Sequence, residues 1–199
     1  SKSWDRFTAL DKMRLVHLVA QRAQTATRDY LTPYLEVDID DIMYEQRWSV
    51  EHVMPRSKCQ MAQGDPWNFV EADRTENSAR GDLPLKLWPD KSNQLQTSEF
   101  QTWDGEVHYS PPENQRARLA RKWLYTRATY GCTPMSRAQK THLHAIIALA
   151  KRIPPSVIEL NVAKQLEILT GTRNPLILDT TPVHWYDNPA WRAMIGCGV

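Results

Sequence analysis

The chain has 199 residues and 41% apolar content, enough for one sizeable core in an elaborated domain. No window approaches the roughly 18 uninterrupted apolar residues of a membrane span, so no membrane partner is expected. Net charge is only +2 but unevenly spread. Asn114 to Ile158 holds no Asp or Glu and nine cations: Arg116, Arg118, Arg121, Lys122, Arg127, Arg137, Lys140, Lys151 and Arg152. Glu36 to Glu45 carries five acids. A basic face suits a phosphate backbone, and a plainly solvated helix surface fits the same residues. Cys59, Cys132 and Cys197 are an odd number without Cys-x-x-Cys spacing. This argues against a disulfide framework or cysteine zinc site and for mostly free thiols, one bridge remaining open. A reducing intracellular compartment or a particle is therefore favoured over secretion. The opening Ser-Lys-Ser-Trp-Asp lacks the apolar run of a secretory signal, though the missing initiator Met leaves room for a removed segment.

Thr8-Ala-Leu-Asp11 can cap a helix of about twenty residues, with Leu10, Met13, Val16 or His17, and Ala20 as its apolar stripe. Leu31 to Asp41 reads as a short strand or extended loop. Arg47 to Met54 is expected to be a strand ending at Pro55, which cannot donate to a ladder. Ala72 to Leu83 reads as a short helix. Trp103-Asp-Gly105-Glu marks a hairpin, and Pro111-Pro-Glu precedes a helix from Glu113 to Tyr130 stopped by Gly131. Ser136 caps a helix reaching Arg152, and Pro154-Pro-Ser opens a last one ending near Thr170-Gly171. The whole, 1–199, reads as one mostly helical α+β domain. Its Trp- and Pro-containing extension, 179–199, includes Trp185 and Trp191.

The chemistry concentrates in Val50-Glu51-His52-Val53-Met54-Pro55. A carboxylate and an imidazole stand side by side at the end of the expected strand. Asn68 lies sixteen residues after His52, within Asp65-Pro-Trp-Asn68-Phe-Val, and Asn77 nine residues further on. Hydrolysing a phosphodiester needs a base for water, a cation for the phosphate and support for the leaving oxygen. Mg²⁺ takes oxygen ligands and keeps several waters, so the oxygens of Glu51 and Asn77 suffice for it. His52 suits the base, since an ordinary imidazole pKa of about 6.5 leaves much of it neutral at pH 7. Asn68 suits a brace through side-chain to backbone hydrogen bonds. A regular strand would turn Glu51 and His52 to opposite faces, so a bulge or the kink at Pro55 is expected to bring them together.

These motifs resemble the endonuclease I family of ββα-metal (His-Me finger) nucleases. Its Glu-His-Val-Val-Pro-like motif is matched by Glu51 to Pro55. Its Asp-Pro-His-Asn-Leu and Glu-Val-Asn segments are matched by Asp65 to Phe69 and by Thr75-Glu76-Asn77. A helix motif resembles Arg118 to Thr126, and a Gly-Asn-x-Asn-Pro-Phe segment resembles Gly171 to Leu176. The resemblance runs from about residue 10 to 178. It implies a ββα-metal core in which His52 is the general base and Glu51 and Asn77 hold Mg²⁺, with Mn²⁺ as a substitute. It implies non-specific endonuclease cleavage of DNA, with RNA as an open second substrate, leaving 5′-phosphates. The loop between base and helix is short, so the family's phosphate-stabilising arginine has no clear equivalent. Arg56 is the nearest candidate and Arg80 the next. Secreted members carry a cysteine pair after Thr-x-Tyr, where this chain has Thr32-Pro-Tyr34-Leu35-Glu-Val37.

Arg80, Arg118, Arg121 and Lys122 are the candidate nucleic-acid contacts, with ordinary helix solvation as the rival reading for the last three. His142 and His144, two apart on a helix, read as structural or exposed, and His17 as packing. His108 and His184 lack partners at ligand spacing. Most tryptophans read as core or edge packing, Trp67 being the one inside the motif. The alternative function is a catalytically silent nuclease fold serving as a nucleic-acid-binding or structural subunit of a larger assembly. Trimmed loops and the lost cysteine pair favour it, whereas the joint presence of Glu51, His52 and Asn77 favours the enzyme.

Overall fold

In a computed structural model that describes residues 47–90, 98–131 and 135–179, Trp48–His52 forms strand β1 and Phe69–Asp73 forms strand β2. The two pair antiparallel, residue for residue, from Trp48 opposite Asp73 to His52 opposite Phe69. All five residues of β2 are buried. The strand ends by becoming a helix cap: Asp73 accepts hydrogen bonds from Thr75 N and Glu76 N at 2.8 and 3.3 Å. Helix α1, Arg74–Arg80, therefore starts two residues later than the Ala72 expected from sequence, because capping takes Asp73 and pairing takes Ala72. It stops at Gly81, whose φ of 56° is a left-handed value that favours glycine.

Strands β3, Glu99–Trp103, and β4, Glu106–Ser110, form the expected hairpin. Asp104 and Gly105 both have positive φ (50° and 77°), the two-residue turn whose twist matches that of paired strands. The segment before β3 attaches to β4 by a parallel bridge between Leu85 and Tyr109. Helix α2, Glu113–Tyr130, ends at Gly131 as its sequence signals. The single helix expected from Ser136 to Arg152 is two: α3, Arg137–Thr141, under a complete Ser136–Gln139 capping box, and α4, Leu143–Arg152. His142 joins them at φ −101°, ψ 10°, and its imidazole lies stacked on Trp88, centroids 4.6 Å apart. Helix α5, Val157–Thr170, is capped by Ser156, and α6, Pro175–Leu178, by Asn174. The chain is thus mixed α and β, with two small two-stranded antiparallel sheets and six helices among the described residues.

Helix α2 is the centre of the packing. It meets α4, α6 and the loop between β1 and β2. Its Leu119, Ala120, Trp123 and Leu124 join Trp67, Val70, Ile146 and Leu176 in one buried cluster. None of the described helices is long and apolar enough to cross a membrane. The expected first helix from Thr8, the Leu31 to Asp41 segment, His17, His184 and the tail beyond Asp179 lie outside the described residues.

The expectation of mostly free thiols is corrected at Cys59, which is disulfide-bonded and buried in the loop between β1 and β2. Its partner, Cys132 or Cys197, lies outside the described residues. The cysteine argument for a reducing compartment loses its support. One bridge uses two of the three cysteines, so thiol titration of the unfolded, unreduced chain is expected to find one reactive thiol, and three after reduction. Three before reduction would contradict the bridge.

Candidate functional site

The loop from Val53 to Asn68 is held shut by its own ends. Val53 N donates to Asn68 O at 2.9 Å. Asn68, fully buried, accepts from Met54 N at 2.7 Å and donates to Met54 O at 2.9 Å, satisfying both backbone polar groups of Met54 with one amide. Asp65 caps the short 3-10 turn Pro66–Asn68, accepting from Trp67 N at 2.9 Å and from the Tyr130 hydroxyl at 2.8 Å. Burial pushes the Asp65 carboxyl above its ordinary value, against the lowering effect of those two bonds.

This closed loop, β1 and α1 surround a cleft of about 980 Å³. Ser49, Val50, Glu51 and His52 all line it, together with Arg56, Gln60, Met61, Gln63, Phe69, Asn77 and Asp82. Four consecutive residues of β1 reach it, so both faces of the strand contribute. The expected bulge is absent, and the register stays regular through Glu51 and His52. Their convergence comes instead from a cleft that runs along the strand and past its end.

His52 is half-buried, with Nε2 2.9 Å from the carbonyl of Gln63 and its ring edge-on to Phe69 at 4.8 Å. A carbonyl only accepts, so Nε2 carries the hydrogen and Nδ1 of the neutral ring holds the lone pair. Asn77 donates through Nδ2 to Ser49 Oγ at 3.0 Å and to Val50 O at 3.1 Å. Both its hydrogens are thereby used, and the planar amide sets Oδ1 on the other side. Glu51 is 2% exposed, and Arg56 is exposed at the rim.

The donor chemistry fits a hard cation that retains water. Glu51 and Asn77 bring a carboxylate and an amide oxygen to the cleft, Asp82 at its edge being engaged by Ser57 and Lys58, and no group of three His, Cys, Asp or Glu residues among the described residues could form a metal cage. Glu51 already bonds Arg80 through Oε1. A carboxylate has two oxygens and can serve an arginine and a metal at once.

Of the expected nucleic-acid contacts, Arg80, Arg121 and Lys122 are buried and Arg118 is partly so. Arg80 is 1% exposed, its guanidinium bound to Glu51 and to the carbonyls of His52, Val53 and Leu83. Arg121 is 2% exposed and donates to both carboxylate oxygens of Glu159 at 2.7 and 2.5 Å. Arg118 bonds Glu71 at 3.0 Å. Lys122 is buried, with Nζ 3.4 Å from Trp67 O and over the Trp67 ring. Within the run without acids, Arg137, Lys140, Lys151 and Arg152 are exposed, whereas Arg118 and Arg121 find their acids across the fold, in Glu71 and Glu159, and turn inward. Trp67 is likewise buried, its Nε1 bonded to Thr172, out of reach of a base.

His108 is buried between Glu106 O and Ser136 Oγ, and burial lowers its pKa. His144 is exposed on α4. Sequence reasoning missed two elements of the site. The Gln63 carbonyl has no side-chain signature, and the clamping role of Arg80 shows only as an arginine three residues after Asn77.

Neighbours on α2 have opposite expected effects. Arg121→Ala strands the buried Glu159 and is expected to destabilise by about 3–5 kcal/mol. Burial, helped by Arg118, lowers the Lys122 pKa to about 8 from an ordinary 10.5. Below pH 8 the charged lysine is a full penalty. Between about 8 and 10.5 the unfolded chain binds more protons, so stability rises with pH. Lys122→Met is therefore expected to stabilise at pH 7 by about 1–3 kcal/mol and to flatten that rise. Urea melts at pH 7 and pH 10 check both, and a less stable Lys122→Met at pH 7 would contradict the account.

No protein-family model matches this chain and no curated protein matches it in sequence, so its functional reading rests on these residues and their geometry.

Proposed function

We propose that the chain is a Mg²⁺-dependent endonuclease with a ββα-metal core, similar to the endonuclease I family, cutting DNA with little sequence preference. RNA is an open second substrate, and the products carry 5′-phosphates. One observation carries this reading: β1, its closed loop, β2 and α1 bring Glu51, His52, Arg56 and Asn77 to one cleft, with His52 braced by a backbone carbonyl. A strand-end arginine or a lone histidine would not single out hydrolysis. A braced imidazole beside two hard oxygens and an exposed cation is what supports it.

The Gln63 carbonyl holds Nε2–H of His52, so Nδ1 receives the proton from an attacking water. That water's oxygen bonds to phosphorus as the P–O3′ bond breaks, and the departing oxygen takes a proton from solvent. Glu51 and Asn77 would hold Mg²⁺, which when bound neutralises charge on the phosphate and the leaving oxygen. Arg56 adds positive charge at the rim of the same cleft. No base-reading element is evident among the described residues, and phosphate contacts carry no sequence information.

A second reading keeps the fold as a nucleic-acid-binding or structural subunit without catalysis. The inward-turned cations of α2 favour it, since Arg118, Arg121 and Lys122 are engaged within the fold and do not form a basic helix face for a duplex.

Plasmid nicking with and without Mg²⁺ separates the two. His52→Ala is expected to lose roughly 10²–10⁴-fold in rate and to keep its binding of DNA. Asn77→Ala should regain part of its rate at high Mg²⁺, whereas His52→Ala should not, because no cation replaces a proton acceptor. Excess chelator should stop the wild type without unfolding it. A folded wild type inert with Mg²⁺ and Mn²⁺ would overturn the enzyme reading and favour the subunit one.

A further inference from the structure

The guanidinium of Arg80 is the most heavily committed cation at the cleft. Its Nε donates to Leu83 O at 3.0 Å, Nη2 to Val53 O at 2.9 Å, and Nη1 to His52 O at 2.7 Å and to Glu51 Oε1. The three carbonyls take three of its five hydrogens, Glu51 is the carboxylate among the described residues that balances its charge, and both side chains are almost wholly buried. A buried charge without a counter-charge is strongly destabilising, so the pair holds in place a carboxylate that also lines the cleft.

We propose that Arg80 is the resident counter-cation of Glu51, a positioning residue that tempers the affinity of the cleft for its divalent cation. This rests on the nuclease reading above. Arg80 fixes the carboxylate in an ionised, oriented state before a cation arrives, which removes an ordering step from cation binding. The same positive charge then repels the incoming cation. Even in bulk water, a unit charge about 5 Å from a divalent ion weakens its binding roughly tenfold. The net result is a carboxylate that is preformed but only moderately attractive to a cation, suited to one that must keep waters and exchange them.

The test is Mn²⁺ binding measured by electron paramagnetic resonance, without substrate and independent of turnover. Arg80→Gln keeps a donor for the carbonyls and removes the charge, and is expected to bind Mn²⁺ about tenfold tighter. Arg80→Lys keeps the charge and should bind as the wild type does. A merely structural arginine would weaken binding in both variants or change neither, and either result in folded protein overturns the proposal. A wild type that takes up no Mn²⁺ overturns the nuclease reading, and the proposal falls with it. Should Arg80→Gln fail to fold, the wild type alone decides: ¹⁵N guanidinium resonances of Arg80 are expected to shift with saturable Mg²⁺ titration. Resonances unmoved by a Mg²⁺ ion that binds would exclude any coupling to Glu51.

Discussion

A buried guanidinium joins the last turn of α1 to the end of β1, and the geometry of the cleft follows from that junction. Arg80 reaches back across the hairpin to the side chain of Glu51 and to the carbonyls of His52 and Val53. Strand, loop and helix are thereby fixed at the point where the strand stops pairing. The second constraint is Asn68, whose amide replaces a missing ladder partner for Met54. Between them the two side chains close a loop that would otherwise leave buried backbone groups unsatisfied. The carbonyl of Gln63 then has a fixed place from which to orient the His52 ring.

Charge on α2 is organised the same way. The segment richest in cations spends them on structure: Arg116 on Asp90 and Glu113, Arg118 on Glu71, Arg121 on Glu159. Breaking any buried member leaves an unpaired charge, which is why such pairs resist substitution whether or not they add net stability. Lys122 is the exception, buried with weaker compensation, and its lowered pKa records that. The local excess of one sign in the sequence thus divides in the fold: Arg118 and Arg121 pair with distant acids, while Arg137, Lys140, Lys151 and Arg152 are exposed.

Much of this was legible in the sequence. The strand ending before Pro55, the hairpin at Asp104-Gly105, and the helix from Glu113 to Gly131 follow from local rules of turn, cap and proline chemistry. That Glu51, His52 and Asn77 come to one cleft was legible because their spacing fits one hairpin and one helix. What could not be read depends on contacts far apart in the chain. Glu159 pairs with Arg121 across 38 residues, and Glu71 with Arg118 across 47. The break at His142 reflects a stack on Trp88 that no local propensity encodes. The Cys59 bridge likewise escapes cysteine counting, because an odd number permits one bridge as readily as none.

The central claim is that Glu51 and Asn77 share one cation beside His52. Crystals soaked in Mn²⁺ and measured at its absorption edge test this directly. The account predicts a single anomalous peak in the cleft, within bonding distance of a Glu51 oxygen and of Asn77 Oδ1. A cleft without such a peak, or one in which Asn77 turns its nitrogen to the ion, would contradict it.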